Sequence, residues 1–241
     1  MPLIGFRRSI YFEWLEEAAT LACLGEDNAG LRDGLEPIVA RTIRSDVARR
    51  QTLDILVNIW LGTAETHPRL HARALQLYQQ TTAQDDHVAL HYGLTLLAFS
   101  FFREGVRIVG QALRFGGSVR TATLQEQMPA VVGGLGAVHD ACTRITFSLR
   151  SWGILAEGDR RHQYVAREPR LALSTPELEC WLLADALCAH PAESLPFGDL
   201  AQLPELFPFA LGLSARAARD CDLLQVHRSG GGWDMVALAR D

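Results

Sequence analysis

At 241 residues, with 48% hydrophobic and 21% charged side chains, the chain has ordinary globular composition; this excludes an intrinsically disordered protein and leaves room for one large domain or two to three small ones. The formal net charge of -5 excludes a uniformly basic nucleic-acid-binding protein. All 23 basic residues are Arg and none is Lys, a bias that a GC-rich bacterial genome accounts for, and each Arg is a planar five-donor fork suited to phosphate and guanine edges.

The charge is unevenly spread. Residues 1–83 carry a net of -1, residues 84–173 a net of +2 and residues 174–241 a net of -6. The middle is therefore the better match to nucleic acid and the C-terminal part the better match to protein. Cysteines stand at 23, 142, 180, 188 and 221, odd in number and without a C-x-x-C, which predicts buried reduced thiols in a cytoplasmic protein rather than a disulfide frame. The opening MPLIGFRRSIYFEW has no signal-peptide h-region, and the most apolar run, Leu94–Phe102, is far too short to span a bilayer.

In chain order, residues 8–24 predict a first helix with Ile10, Trp14, Leu15, Ala18, Leu21 and Ala22 on one stripe, stopped at Gly25. Residues 28–43 predict a second, broken or kinked at Pro37. Ser45-Asp46 caps a third from Val47 to Trp60, and His67-Pro68 opens a fourth over about 68–82. These make an N-terminal helical domain, residues 1–83. From Asp85 a helical tract runs to Phe115 with a bend expected near Gly93 or Gly105, followed by a short helix Val119–Met128 ended by Pro129, a helix over about 131–151, and two strands around Gly158-Asp159. That order reads as a winged-helix-like module over 84–173. A second such module over 174–241 begins with a helix at Thr175-Pro176 and continues through short pieces broken at Pro196, Pro204 and Pro208. Ser214 then caps Ala215–Cys221, and a hairpin closes around Ser229-Gly230-Gly231-Gly232. The fold class expected is thus mainly α, a helical domain and two winged-helix-like modules with small β-hairpins.

Motifs for catalysis are missing. His67/His71 and His87/His91 have i,i+4 spacing that a metal could use, with Asp85 or Asp86 near, but neither pair carries the Glu of H-E-x-x-H, and they read as ordinary surface or core histidines. Asp85-Asp86 reads as a helix N-terminal pair that favours the dipole and caps amides. Gly133-Gly134-Leu135-Gly136 has neither a following Lys nor a preceding strand, so it reads as a packing site or bend. No nucleophile elbow occurs. The expectation is no enzyme, no cofactor and no metal.

The arginines carry the functional signal. Arg103, Arg107, Arg114 and Arg120 recur along the middle tract, Arg144 and Arg150 lie on the following helix, and Arg160, Arg161, His162 and Arg167 decorate the wing. A winged helix places a helix in a groove and its wing on the adjacent backbone, so these ten residues are the candidate contacts to double-stranded DNA. In the last module Arg216, Arg219 and Arg228 stand among Asp220, Asp222 and Asp234, which repel phosphate; with Trp233 beside the glycine turn they read as a protein-docking set.

Ala19-Thr20-Leu21 with Gly25, the stretch Arg44-Ser45-Asp46-Val47-Ala48-Arg49-Arg50, the apolar and then basic helices His91–Phe102 and Phe102–Arg114, and the turn Leu149–Leu155 resemble the layout of the small BrxA subunit of BREX phage-defence systems. The resemblance spans residues 1–170 and is one of arrangement. It implies a non-catalytic helical protein that contacts DNA beside the other subunits of a defence complex, with no membrane and no small-molecule substrate. A protein–protein adaptor and a winged-helix transcriptional regulator with a ligand pocket in the helical domain are the alternatives.

Overall fold

Caps and prolines set the helix starts in the N-terminal third. The computed structural model describes residues 5–133, 137–228 and 230–239, and its first helix, α1, spans Phe12–Cys23. Helix α2 (Asn28–Ala40) is capped by the Asp27 carboxylate, which accepts from the Gly30 N–H, and α3 (Asp46–Val57) by the Ser45 hydroxyl, which accepts from Ala48 N–H. One π-helical turn (Asn58–Gly62) and the short α4 (Thr63–Thr66) follow, and α5 (Pro68–Gln80) has proline at its first position. Pro37 does not break α2, contrary to the sequence reading. It sits on the exposed face near the helix end, while Leu31, Leu35 and Val39 stay buried on the opposite stripe.

Helix α6 (Gln84–Ala98) is buried on every side from Val88 to Leu96. An all-round apolar helix of this kind lies in the centre of a fold, and α6 packs against α1, α5, α7 and α10. The break between α6 and α7 (Ser100–Gly116) falls at Phe99, in an extended conformation, and not at Gly93 or Gly105. Both glycines permit helix crossings instead: a Cβ on Gly93 would stand 2.6 Å from the Trp181 ring, and one on Gly105 would stand 2.5 Å from Ile145.

Two small antiparallel sheets complete the architecture. After α7 come β1 (Val119–Arg120), α8 (Thr121–Val132), α9 (Val138–Ser151), β2 (Leu155–Glu157) and β3 (Gln163–Ala166), with strand order β1-β3-β2. Tyr164 lies opposite Val119 on one side and Glu157 on the other. The same succession recurs in α10 (Pro176–Ala189), β4 (Ser194–Pro196), α11 (Phe197–Leu200), 3-10 turns at Pro204–Leu206 and Ala217–Asp220, β5 (Leu224–Arg228) and β6 (Asp234–Leu238), with order β4-β6-β5.

Each predicted hairpin therefore gains a third strand. The helix expected from Val119 starts two residues later, because Val119 and Arg120 pair with β3, and Pro129 is held inside α8 rather than ending it. Gly134, Leu135 and Gly136, read as a bend, and Ser229 of the C-terminal turn lie outside the described residues. The expectation of five reduced thiols is also corrected. Cys180 on α10 and Cys221 ahead of β5 form a disulfide with Cα atoms 6.4 Å apart, while Cys23, Cys142 and Cys188 are free. Folding the Ala217–Asp220 turn back towards α10 brings together two residues whose spacing in sequence carries no such sign.

The buried residues form one contiguous core from Phe6 to Val236. Its tightest seam is α7 against the Pro204–Leu206 turn, where a Cβ on Gly110 would come within 1.9 Å of the Pro204 carbonyl oxygen. Gly110→Ala is expected to lower stability by roughly 1–3 kcal/mol in urea denaturation, since backbone rather than a flexible side chain must give way. Gly198→Ala, which meets only open space, is the control that leaves the midpoint unchanged. Cys180→Ser is expected to lower stability by about 2–4 kcal/mol under oxidising conditions and to make it insensitive to reductant. A wild-type melting temperature that does not move on reduction would contradict the pairing.

Candidate functional site

The structure separates the ten candidate DNA contacts into two groups. Five are turned into seams of the fold. Arg103, on α7, donates to the Ala189 carbonyl at the end of α10 and, at 3.3 Å, to Glu104; Arg107 donates to the other oxygen of Glu104 at 2.9 Å. Arg114 reaches the Gln202 carbonyl at 2.7 Å. Arg150 pairs with Glu157 and lies 5.2 Å over the Tyr164 ring. Arg167 donates to Asp85 at 2.8 Å. Asp85 and Asp86 do sit in the first turn of α6, but their carboxylates do not cap it. Asp85 also accepts from the Ala172 N–H, and the fully buried Asp86 accepts from the Thr81 hydroxyl at 2.6 Å and from both the backbone and hydroxyl of Ser174. The two acids thus fix the segment that joins β3 to α10.

The other five, Arg120, Arg144, Arg160, Arg161 and His162, make no ion pair with a described residue. Arg120, Arg160, Arg161 and His162 are exposed, and His162 holds a left-handed conformation (φ 58) in the β2–β3 loop. Arg120 and Arg160 line one open depression of about 310 Å³ together with Gly116, Ser118, Thr123 and Gln163. Arg144 is half-buried in the N-terminal half of α9, where His139, Asp140 and Thr143 are open to solvent. The C-terminal half of α9 is covered by the segment preceding α1. Ser148 accepts from the Ile10 N–H at 2.9 Å, Ser151 from the Phe12 N–H at 3.3 Å, and the Trp152 indole donates to the Ile10 carbonyl at 3.0 Å.

Among the predicted docking residues, Arg219 is tied to Asp234 at 2.8 Å. Arg228 lies opposite Asp234 across the β5–β6 ladder. Arg216 is exposed, and Trp233 is 68% exposed at the turn, outside the core that holds the other four tryptophans.

Each histidine of the two i,i+4 pairs has a partner. His71 donates through Nε2 to the Trp60 carbonyl at 2.6 Å, using an acceptor on the π-helical turn. His67 Nδ1 lies 3.4 Å from Cys188 Sγ. Burial, reinforced by Asp185, pushes the Cys188 thiol up to about 11, so this is a neutral thiol–imidazole contact and not an activated thiolate. His87 and His91 converge on Glu16 of α1. His87 Nδ1 donates at 2.9 Å and His91 Nε2 at 2.7 Å, while His87 Nε2 faces the Thr81 carbonyl at 3.1 Å and its ring stacks 4.3 Å from Tyr78. Acceptors at both nitrogens favour the protonated ring of His87; the Glu16 bond raises its pKa against the opposing effect of burial. Complete burial lowers that of His91, whose Nδ1 has no partner, and keeps it neutral. Burial alone would raise the Glu16 carboxyl, but its two histidine bonds outweigh this and hold it at about 2. Among the described residues no group of His, Cys, Asp and Glu is arranged to hold a metal. Glu16 and Tyr78 escaped sequence reading because they lie on other helices than the histidines, with no local spacing to betray them.

Matching the chain against protein-family models, curated proteins and solved structures finds no relative.

The Glu16 cluster sets an acid limb of stability. Glu16 has a folded pKa near 2 against an ordinary 4.5, so its contribution is complete above pH 4.5 and is lost as pH falls towards 2. His91, lowered on folding, adds to the acid loss because the unfolded chain takes up its proton first. His87, raised on folding, works oppositely: its contribution is full below 6.5 and disappears as pH rises through its folded value. Glu16→Gln is expected to cost about 1–2 kcal/mol at neutral pH, discounted because the Glu16 side chain is 31% exposed, and to flatten the decline between pH 4.5 and 2 in urea titrations. An unchanged acid limb in that variant would place it elsewhere.

Proposed function

We propose that the chain is a non-catalytic accessory subunit of a bacterial multi-protein system that binds double-stranded DNA through residues 100–166, folded as a winged helix. The observation that carries this reading is the coincidence of topology and unpaired charge. The order α7, β1, α8, α9 and the β2–β3 hairpin, with the last strand central, supports the winged-helix reading, in which that hairpin would be the wing. On that frame, Arg120 on β1, Arg160, Arg161 and His162 at the hairpin and Arg144 on α9 are the candidate contacts left without an ion pair to a described residue. The N-terminal half of α9 is the end left open to enter a groove, and the wing arginines would meet the flanking phosphates. The BrxA-like arrangement of the first 170 residues is what suggests phage defence as the system.

The C-terminal module repeats the winged-helix order, yet residues 174–241 carry a net of -6. Its exposed Trp233 supports the second reading, an adaptor that docks protein through this module.

The test is titration of duplex binding against salt. Wild type is expected to bind at low salt with log K falling linearly against log salt concentration, and Arg160→Ala/Arg161→Ala to reduce the slope by about 2. Trp233→Ala leaves the isotherm in place. Arg103→Ala is expected to lower thermal stability without altering the slope, because its guanidinium is held by the Ala189 carbonyl. Absence of duplex binding by the folded wild type at low salt overturns the proposal.

A further inference from the structure

The depression between β1, the start of α8 and the wing has the makings of a more specific site. Arg120 and Arg160 are both exposed, unpaired and on its lining, so two guanidinium groups face one open space of about 310 Å³. Ser118 and Thr123 add hydroxyls. Helix α8, twelve residues long, begins at the edge of the depression with Arg120 as its N-cap and no side-chain cap, which leaves its first N–H groups unclaimed by any cap side chain. Gln163 donates through its amide nitrogen to Ser118 at 2.7 Å, while its amide oxygen is buried without a partner. The nearest turn is made by Gly117, whose left-handed conformation (φ 67) ends α7 and swings the chain into β1.

Phe115 stands near the end of α7. It is 86% exposed, the most exposed large hydrophobic side chain among the described residues, and it directly precedes Gly116, which lines the depression. Burial elsewhere in the fold is thorough, with Phe101 and Phe102 of the same helix fully inside. An exposed phenylalanine one residue from a depression lined by two arginines offers a stacking platform and charge, the combination used for nucleic-acid bases and their phosphates.

We infer that this depression seats one backbone phosphate of a nucleic acid between Arg120 and Arg160, with Phe115 stacking on the neighbouring base. Rings inside a duplex are already stacked, so the site takes its nucleotide from an unpaired base, at a strand end or at a junction of single and double strand. The inference rests on the DNA-binding reading and adds to it a preference for interrupted duplex.

Fluorescence anisotropy of the full chain on a blunt duplex and on the same duplex with an unpaired overhang tests it. Wild type is expected to favour the overhang by about tenfold, equivalent to ~1.4 kcal/mol of stacking. Phe115→Ala is expected to abolish that preference while leaving blunt-duplex affinity within about twofold, and Phe115→Trp to keep it. Arg120→Ala and Arg160→Ala are each expected to weaken both substrates and to lower the salt slope by about 1. Circular dichroism of each variant establishes that it is folded. If wild type binds both duplexes equally, or Phe115→Ala keeps the preference, the stacking role is wrong. If the two arginine variants leave the slope untouched, there is no phosphate seat. Loss of the stacking preference, or an unchanged slope in Arg120→Ala alone, leaves the DNA-binding reading standing, whereas an unchanged slope in Arg160→Ala counts against both, and failure of wild type to bind any DNA removes both.

Discussion

Burial of α6 on every side is the constraint from which the rest of the arrangement follows. A helix with no solvent face must find a partner for each polar group it carries and a close neighbour along each stripe. Gly93 supplies the closest approach: the Trp181 ring lies against it and donates through its indole nitrogen to the Leu70 carbonyl, which draws α10 and α5 onto the same helix. Immediately before Gly93, Tyr92 donates to the Glu205 carbonyl at 2.5 Å, and at the N-terminal end Asp85 and Asp86 hold the connection from β3 to α10. His87 and His91 close the remaining side on Glu16. One helix thereby fixes the first helices, the linker and the C-terminal module in a single frame.

The same demand explains the sorting of the arginines. A guanidinium drawn into a seam must be paired or it costs several kcal/mol, and it then acts as a directional strut rather than as free charge. Arg103 and Arg114 reach from α7 to the Ala189 and Gln202 carbonyls, while Arg107 pairs with Glu104 on its own helix. Asp185 shows the converse. It is fully buried with both oxygens unpartnered, and burial pushes its carboxyl well above the usual range, so it sits beside Trp181 and Gly93 as a neutral acid. Charge is retained in the interior only where a donor or acceptor answers it.

Much of the fold was legible because its signals are local. Asp27, Ser45 and Thr175 cap where they stand, Pro68 and Pro176 open helices, and the apolar alternation of Leu224–Leu238 gives its hairpin. What escaped reading is decided by distant partners. Strands β1 and β4 are two and three residues long and exist only because β3 and β6 pair with them. Gly93 and Gly105 look like hinges in sequence and are crossings in space, and the break falls at a phenylalanine with no turn chemistry. At the candidate site, the residue types and the β2–β3 hairpin were legible, but spacing could not separate an internally bonded arginine from one left in water. Arg103 and Arg160 differ in nothing that spacing records.

The repetition of one topology in two settings bears on function more than either copy does alone. Both modules place a helix, a short strand, further helical turns and a hairpin in the same order, with the last strand central. They differ in what surrounds the hairpin. In the first, Arg160 and Arg161 make no ion pair with a described residue, although Asp159 adjoins them in the loop. In the second, Arg219 is neutralised by Asp234, and Arg228 faces the same carboxylate across the ladder. A phosphate approaching the first hairpin meets unpaired cations, while one approaching the second meets cations already occupied and an excess of carboxylates. The acidic copy is tied to the basic one through α6 and the Gly110 seam, and is braced internally by the Cys180–Cys221 bridge, so the two hairpins of opposite charge character belong to one packed core.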